Sequence, residues 1–346
     1  MLIGPIASAA DMPPAKEGDY VIHDFRFTTG QTLPRLKIHY RTLGSPQYDE
    51  EGHLHNAVLI MHDTAGSGEQ FMSPVFAGEL FGPGQPLDII KFFVILPDDI
   101  GHGESSRPSE GLHAHFPSYQ DADMVEAEHR LVVDGLHIDH LRLVMGTGMG
   151  GMHTWMWGEQ FPDMMDALMP LASLPAPIGG RNRIWRRMIS EGIRRDKEWL
   201  NGDYQTQPPS LRTAIGMLLL FSDNSKRWSD AYPTGEATDR AFDESIDRAM
   251  KVNDANDFLY AIESSYDYDP SKNLEVIRAP LVAVNSADDL VNPPDQGIME
   301  REIVHVPHGE AILIPEGANT RGHGTHTMAK TWKGELEMLL KERTAE

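Results

Sequence analysis

The chain of 346 residues contains no cysteine, which excludes a disulfide framework, a thiolate metal site and a cysteine nucleophile. It also lacks any apolar run near the roughly 20 residues needed to cross a bilayer. Positive charge is scarce, with 30 basic against 52 acidic side chains and a formal net charge of -22. That field repels a phosphate backbone, so nucleic acid is not an expected partner, and neither is a membrane. The densest basic stretch, Arg181 to Arg195, is interleaved with Ile184, Trp185, Met188 and Ile193 and reads as an amphipathic helix. The absence of cysteine leaves the compartment open. Ala7-Ser8-Ala9 resembles a signal-peptidase site, which allows a periplasmic or secreted location. The charged leader segment is missing, however, and tips the reading toward the cytoplasm.

What is present is a regular alternation of short apolar runs with helical patterns. Strand-like runs are expected at 20–27, 36–41, 57–61, 92–96, 141–145, 167–171, 281–284 and 311–314. Several are compact and apolar and end in glycine-rich loops, the pattern of buried parallel strands. Helical spacing is expected at 121–136, 150–160 and 328–342. From 175 to 272 only helical patterns occur, at 184–194, 211–221, 239–252 and 256–264. The expected fold class is α/β, a mostly parallel sheet flanked by helices. A core of 20–174 and 273–346 carries a helical cap, 175–272, between its sixth and seventh strands, and residues 1–19 form a disordered or trimmed start.

One turn carries the chemistry. Leu141 to Met152 reads as strand, tight glycine turn and helix, around Gly146-Thr147-Gly148-Met149-Gly150-Gly151. A dinucleotide turn is formally matched, but Asp163 and Asp166 precede the next strand instead of ending one. A phosphate loop is excluded because no Gly-Lys-Ser/Thr follows. The remaining reading is a nucleophile elbow, G-x-S-x-G, with Gly146 and Gly150 as flanks and Gly148 where the serine would stand. Asp288 and Asp289 follow one late strand, and His323 follows the last, so nucleophile position, acid and base occur in the chain order of α/β-hydrolases.

Phe116-Pro117, Asp123-Met-Val, Gly146-x-x-Met149-Gly-Gly-Met152 and Phe161-Pro-Asp163 together resemble the homoserine O-acetyltransferase-like branch of the α/β-hydrolase superfamily. The resemblance implies Gly148 at the nucleophile position, His323 as base and Asp289 as acid, because Pro293 lies four residues beyond Asp289. His326 is the competitor for the base. The expected oxyanion donors are the backbone N–H groups of Met149 and of Thr64, where His62-Asp63-Thr64 replaces the usual His-Gly-x. Trp185 and Met188 are expected to line an apolar substrate site, with His153 beside the elbow. No metal site is expected, since the histidine pairs show no third ligand, and no cofactor is expected.

The family's Thr and Arg before the elbow are absent from Phe116–Asp123, and His153 replaces a Gln, so homoserine and coenzyme A are less well matched. The expected reaction is hydrolysis of a carboxylic ester, or an amide, of a moderately hydrophobic small molecule. Acyl-CoA-dependent O-acyl transfer and a non-catalytic ligand-binding role are the alternatives. Gly148 reads as a single inactivating replacement of serine in otherwise complete machinery; the resemblance also allows a homodimer.

Overall fold

The computed structural model describes residues 14–342. The signal-like Ala7-Ser8-Ala9 lies outside the described residues.

Among the described residues eight strands form one sheet: β1 Lys16–Arg26, β2 Thr32–Leu43, β3 Ala57–Met61, β4 Phe93–Pro97, β5 Leu143–Thr147, β6 Leu168–Leu171, β7 Leu281–Ser286 and β8 Gly309–Ile314. Their spatial order is β1-β2-β4-β3-β5-β6-β7-β8, and all pairings from β4 to β8 are parallel. β2 runs antiparallel to both β1 and β4. All five residues of β3 and of β5 are buried, as expected for strands covered on both faces.

Among the described residues ten α-helices accompany the sheet. They are α1 Ala77–Leu80, α2 Asp121–Arg130, α3 Met149–Gln160, α4 Gly180–Arg195, α5 Ser210–Ser222, α6 Ser225–Ala231, α7 Gly235–Ala249, α8 Ala255–Ser264, α9 Ile298–Glu302 and α10 Lys333–Glu342. α4 to α8 all lie between β6 and β7. α4, α5, α7 and α8 share an apolar cluster of their own that includes Trp185, Ile193, Leu211, Ile246 and Leu259.

Local chemistry explains where the elements depart from the sequence reading. β1 begins at Lys16, inside the segment expected to be disordered, because Lys16 already pairs with Thr42 of β2. α6 was not anticipated; the Asn224 side chain caps it by accepting from Arg227 N at 2.7 Å. α10 starts at Lys333 instead of 328, since 324–331 is coiled into two tight 3₁₀ turns.

Register decides where chemistry gathers. Met61 pairs with Gly146, and Thr147 pairs with Leu171, so the loops leaving β3, β5 and β6 emerge side by side. Ser286 pairs with Ile314, which brings the loops after β7 and β8 to the same edge. This is the carboxyl edge of the sheet, where open α/β sheets bind ligands.

Asp98, fully buried just after β4, ties that edge together. Its Oδ1 accepts from Arg41 Nη1 at 2.9 Å and from Gly68 N at 2.7 Å, and its Oδ2 from Glu104 N at 2.9 Å. Removing the carboxylate strands a buried guanidinium and two backbone donors. Asp98→Ala should therefore cost about 3–5 kcal/mol in urea unfolding, and a loss below about 1 kcal/mol would show that the hub is not structural.

Candidate active site

The elbow forms as its sequence requires. Gly148 has φ 56° and ψ -110°, between the last residue of β5 and the first of α3. A Cβ on Gly146 would stand 2.1 Å from the Gly150 carbonyl oxygen, and one on Gly150 the same distance from that of Met61. Neither flank tolerates a side chain. Gly148 N donates to Leu171 O at 3.0 Å, and Gly150 N to His62 O at 2.8 Å, pinning the turn to its neighbouring strands.

His323 and Asp289 meet across the carboxyl edge, with His323 Nδ1 2.9 Å from Asp289 Oδ2. The other carboxylate oxygen accepts from the backbone N–H groups of Val291 at 2.7 Å and Asn292 at 2.9 Å. Asp288 points elsewhere, accepting from Asn224 Nδ2, Thr320 Oγ1 and Gly322 N within the His323 loop. Burial alone would lower the His323 pKa, but the adjacent Asp289 charge and hydrogen bond, with Asp63 beyond, raise it above the ordinary value.

The glycine at 148 is matched by a carboxylate at 63. A Cβ built on Gly148 would lie 2.1 Å from Asp63 Oδ1 and 2.8 Å from its Cγ, so Asp63 occupies the place a nucleophile side chain would fill. The same Oδ1 accepts the Thr64 backbone N–H at 2.7 Å. Asp63 Oδ2 faces His326 Nε2 at 3.5 Å. Burial works to raise the Asp63 pKa, but His326 and His323 outweigh it and hold the carboxyl well below the usual carboxylate range. An anion therefore already sits on one of the two expected oxyanion donors. The other, Met149 N–H, is the first amide of α3, which lacks an intrahelical acceptor.

The loop that presents Asp63 is held from below. His62 is fully buried; its Nδ1 bonds Asp63 O at 2.8 Å and its Nε2 accepts Asp99 N at 3.0 Å. Burial pushes its pKa down to about 4, so the ring is neutral at physiological pH. His102 reaches Thr64 O at 2.9 Å and Ile100 O at 3.0 Å, a structural bridge between two loops.

A pocket opens over this edge. Asp63, Thr64, Gly148, Met149 and His323 line its floor, and Asn182, Arg186, Tyr268 and Asn292 are on its walls. Arg186 is buried and held by Asn182 Oδ1 at 2.9 Å and Ser265 Oγ at 2.8 Å.

With that geometry in view, similarity to known proteins can be placed. A family model described as the alpha/beta hydrolase fold matches residues 56–318. A homoserine O-acetyltransferase from Pelobacter propionicus is 30% identical over 322 residues, covering 81% of this chain and 84% of that protein. The chain belongs to the α/β-hydrolase family, in its homoserine O-acetyltransferase-like branch. A protein from Methanothermobacter thermautotrophicus named a probable acyltransferase is 27% identical, covering 85% and 89%. Among solved structures, homoserine O-acetyltransferase from Bacillus anthracis superposes with TM-score 0.84 at 19% identity, over 95% and 98% of the two chains. Esterase E22 gives 0.81 at 17% identity, over 94% and 100%. At those identities the superpositions show the fold.

Measured against this α/β-hydrolase frame, three residues expected in the pocket are elsewhere. His153 is fully buried on the inward face of α3, bonded to Glu128 Oε1 at 2.7 Å. Burial alone would lower its pKa, but Glu128, Asp121 and Asp99 raise it well above the ordinary value, making it the cation of a buried acidic cluster behind the elbow. Trp185 is buried in the apolar cluster of α4, α5, α7 and α8 and stacks on Phe221, and Met188 is 58% exposed. The helix face that meets the pocket is Asn182 and Arg186, one turn apart and about 60° and 100° round the helix from Trp185.

Gly148 and Asp63 are matched in space, because the Asp63 carboxylate fills the place that a side chain at 148 would take. The sequence held this signal as two departures at separate motifs, and only the β3–β5 register brings them together. Gly148→Ser alone should leave the protein almost unlabelled by a fluorophosphonate probe, because Asp63 occupies the serine's place and its donor. Asp63→Gly with Gly148→Ser should label at least about tenfold faster. Equal labelling of both variants would show that Asp63 does not obstruct the site.

Proposed function

We propose that this chain handles the acyl group of a small, carboxylate-bearing molecule, as an O-acyltransferase of the homoserine-acetyltransferase kind in preference to an ester hydrolase. The observation that carries the reading is the His323–Asp289 pair facing a pocket whose wall bears a buried arginine, Arg186. Relatives named as acyltransferases at 27–30% identity favour transfer over the hydrolysis expected from sequence.

The pair supports general-base chemistry. Asp289 holds the imidazole by Nδ1, which leaves Nε2 to take a proton from an acceptor hydroxyl as its oxygen attacks the acyl carbonyl. With no side chain at 148, attack is direct and no serine acyl-enzyme forms. The leaving thiolate or alkoxide then takes the proton back from the imidazolium. Arg186 is placed to pair with a carboxylate on the acceptor. The acyl oxygen needs Met149 N–H and Thr64 N–H, so it must displace Asp63 from the latter. We further propose that α4 to α8 act as a cap that shields this step from water.

The Asp63 carboxylate favours a second reading, a ligand-binding protein without turnover, since a fixed anion on an oxyanion donor opposes a developing negative charge.

Both readings are tested by giving the protein acetyl-CoA with L-homoserine and related hydroxy acids, and separately p-nitrophenyl acetate. Thiol release that depends on the hydroxy acid and is lost in His323→Ala supports transfer. Faster ester hydrolysis than transfer overturns it, and ligand binding without either activity establishes the second reading. The base must be neutral to act, and its pKa is raised, so the rate should climb with pH above the ordinary histidine value of about 6.5. Asp289→Asn should shift that limb to lower pH and cut the rate by about 10²–10⁴-fold. A pH limb unmoved by Asp289→Asn would remove His323 as the base.

A further inference from the structure

The two histidines of the final loop gain a third partner that lies 260 residues away in sequence. His323 and His326 are three apart at a 3₁₀ turn, Gly324–Thr327, and three residues make one full turn of that helix, so both rings project to the same side. The ring centroids are 5.1 Å apart. Asp63, from the loop after β3, faces both, and one donor atom from each of the three side chains lies within 4.8 Å of the others.

Each donor is prepared in a manner suited to a cation. The Nδ1 of His323 is held by Asp289, leaving Nε2 as its free nitrogen, and this carboxylate–histidine arrangement is how metal-bound imidazoles are oriented. His326 is buried, yet its Nδ1 has no hydrogen-bond partner and its Nε2 is 3.5 Å from Asp63 Oδ2, too long for a firm hydrogen bond. Tetrahedral ligands about 2.0–2.1 Å from a zinc ion sit about 3.3 Å apart, so that gap already suits an ion between the two side chains. Asp63 and Asp289 bring two negative charges to the loops, against one positive charge on Arg186 across the pocket. Nothing comparable holds for the buried Asp99, Glu128 and His153 group, which has no opening to solvent and whose histidine already bonds Glu128.

We propose that Asp63, His323 and His326 form a binding site for a zinc-type divalent cation. Two imidazoles and one carboxylate select such an ion over magnesium or calcium. Three protein ligands leave a fourth position facing the pocket, over Gly148, for water or an anionic group of a ligand. Gly148 is then required twice, because a side chain there would displace Asp63 and fill the open position. Binding stands apart from the acyl-transfer reading but constrains it. Zinc takes the free nitrogen of His323, so metal loading and base-driven transfer are exclusive states of one pocket.

Equilibrium dialysis with metal analysis, alongside calorimetric titration of the full chain with zinc chloride, tests the site. One zinc per chain is expected. Asp63→Asn and His326→Gln should each weaken binding at least about tenfold, and Asp289→Asn, which touches no metal, by about 10–100-fold. His53→Gln, in the exposed Asp49, Glu51 and His53 cluster, should leave that binding unchanged. Circular dichroism confirms that each variant is folded, and the visible spectrum of the cobalt-loaded protein reads the coordination without need of any activity. No zinc binding, or zinc binding that survives both Asp63→Asn and His326→Gln, overturns the site. If transfer is detected but zinc neither binds nor inhibits, the metal proposal fails and the acyl-transfer reading stands.

Discussion

One close approach governs the whole site: the Asp63 carboxylate stands in the space that a side chain at 148 would need. A Cβ at 148 would lie 2.1 Å from its oxygen, far inside contact distance. The β3–β5 register, which sets Met61 beside Gly146, brings the two loops together. Whatever chemistry the pocket performs must begin from a fixed anion at the elbow, not from a serine hydroxyl. The same anion accepts Thr64 N–H and faces two imidazoles, so it bears on that amide and on His323 and His326 together.

Around that contact the scaffold is conventional for its family and strongly determined. The parallel strands β3 to β8 deliver their loops to one edge, and Asp98, His62 and His102 fasten the loops after β3 and β4 to each other by hydrogen bonds to backbone. Asp289 and His323 are held in place with both oxygens of Asp289 occupied. Within this frame the space beside Gly148 is taken by a charged group with its own hydrogen bond, from Thr64 N–H to Asp63 Oδ1.

Much of this was legible in the residues. All eight strands overlap runs read from the sequence, β3 to β8 at short apolar runs and β1 and β2 at alternating runs that the structure extends, and the order of Gly148, Asp289 and His323 follows from motif and spacing. Asp289 is separated from Asp288 by geometry that agrees with its distance to Pro293. Side-chain direction was harder to read. Trp185 and Met188 are apolar and near the pocket in sequence, yet the face of α4 that meets the pocket is one residue round, at Asn182 and Arg186. His153 follows the elbow directly but points inward, toward carboxylates supplied by distant segments. The pairing of Asp63 with Gly148 depends on a contact between strands 85 positions apart, which no local pattern encodes.

A double-mutant cycle on folding stability measures that contact without reference to any substrate. Unfolding free energies of the parent, Asp63→Gly, Gly148→Ser and the double variant are compared under one set of conditions. The backbone strain of a side chain at φ 56° is common to both Gly148→Ser legs and cancels from the cycle. If residue 148 and the Asp63 carboxylate share one space, Gly148→Ser costs more with aspartate at 63 than with glycine, giving a coupling of about 1–3 kcal/mol. Additive costs, with coupling below about 0.5 kcal/mol, would mean that Asp63 yields freely and does not hold the nucleophile's place.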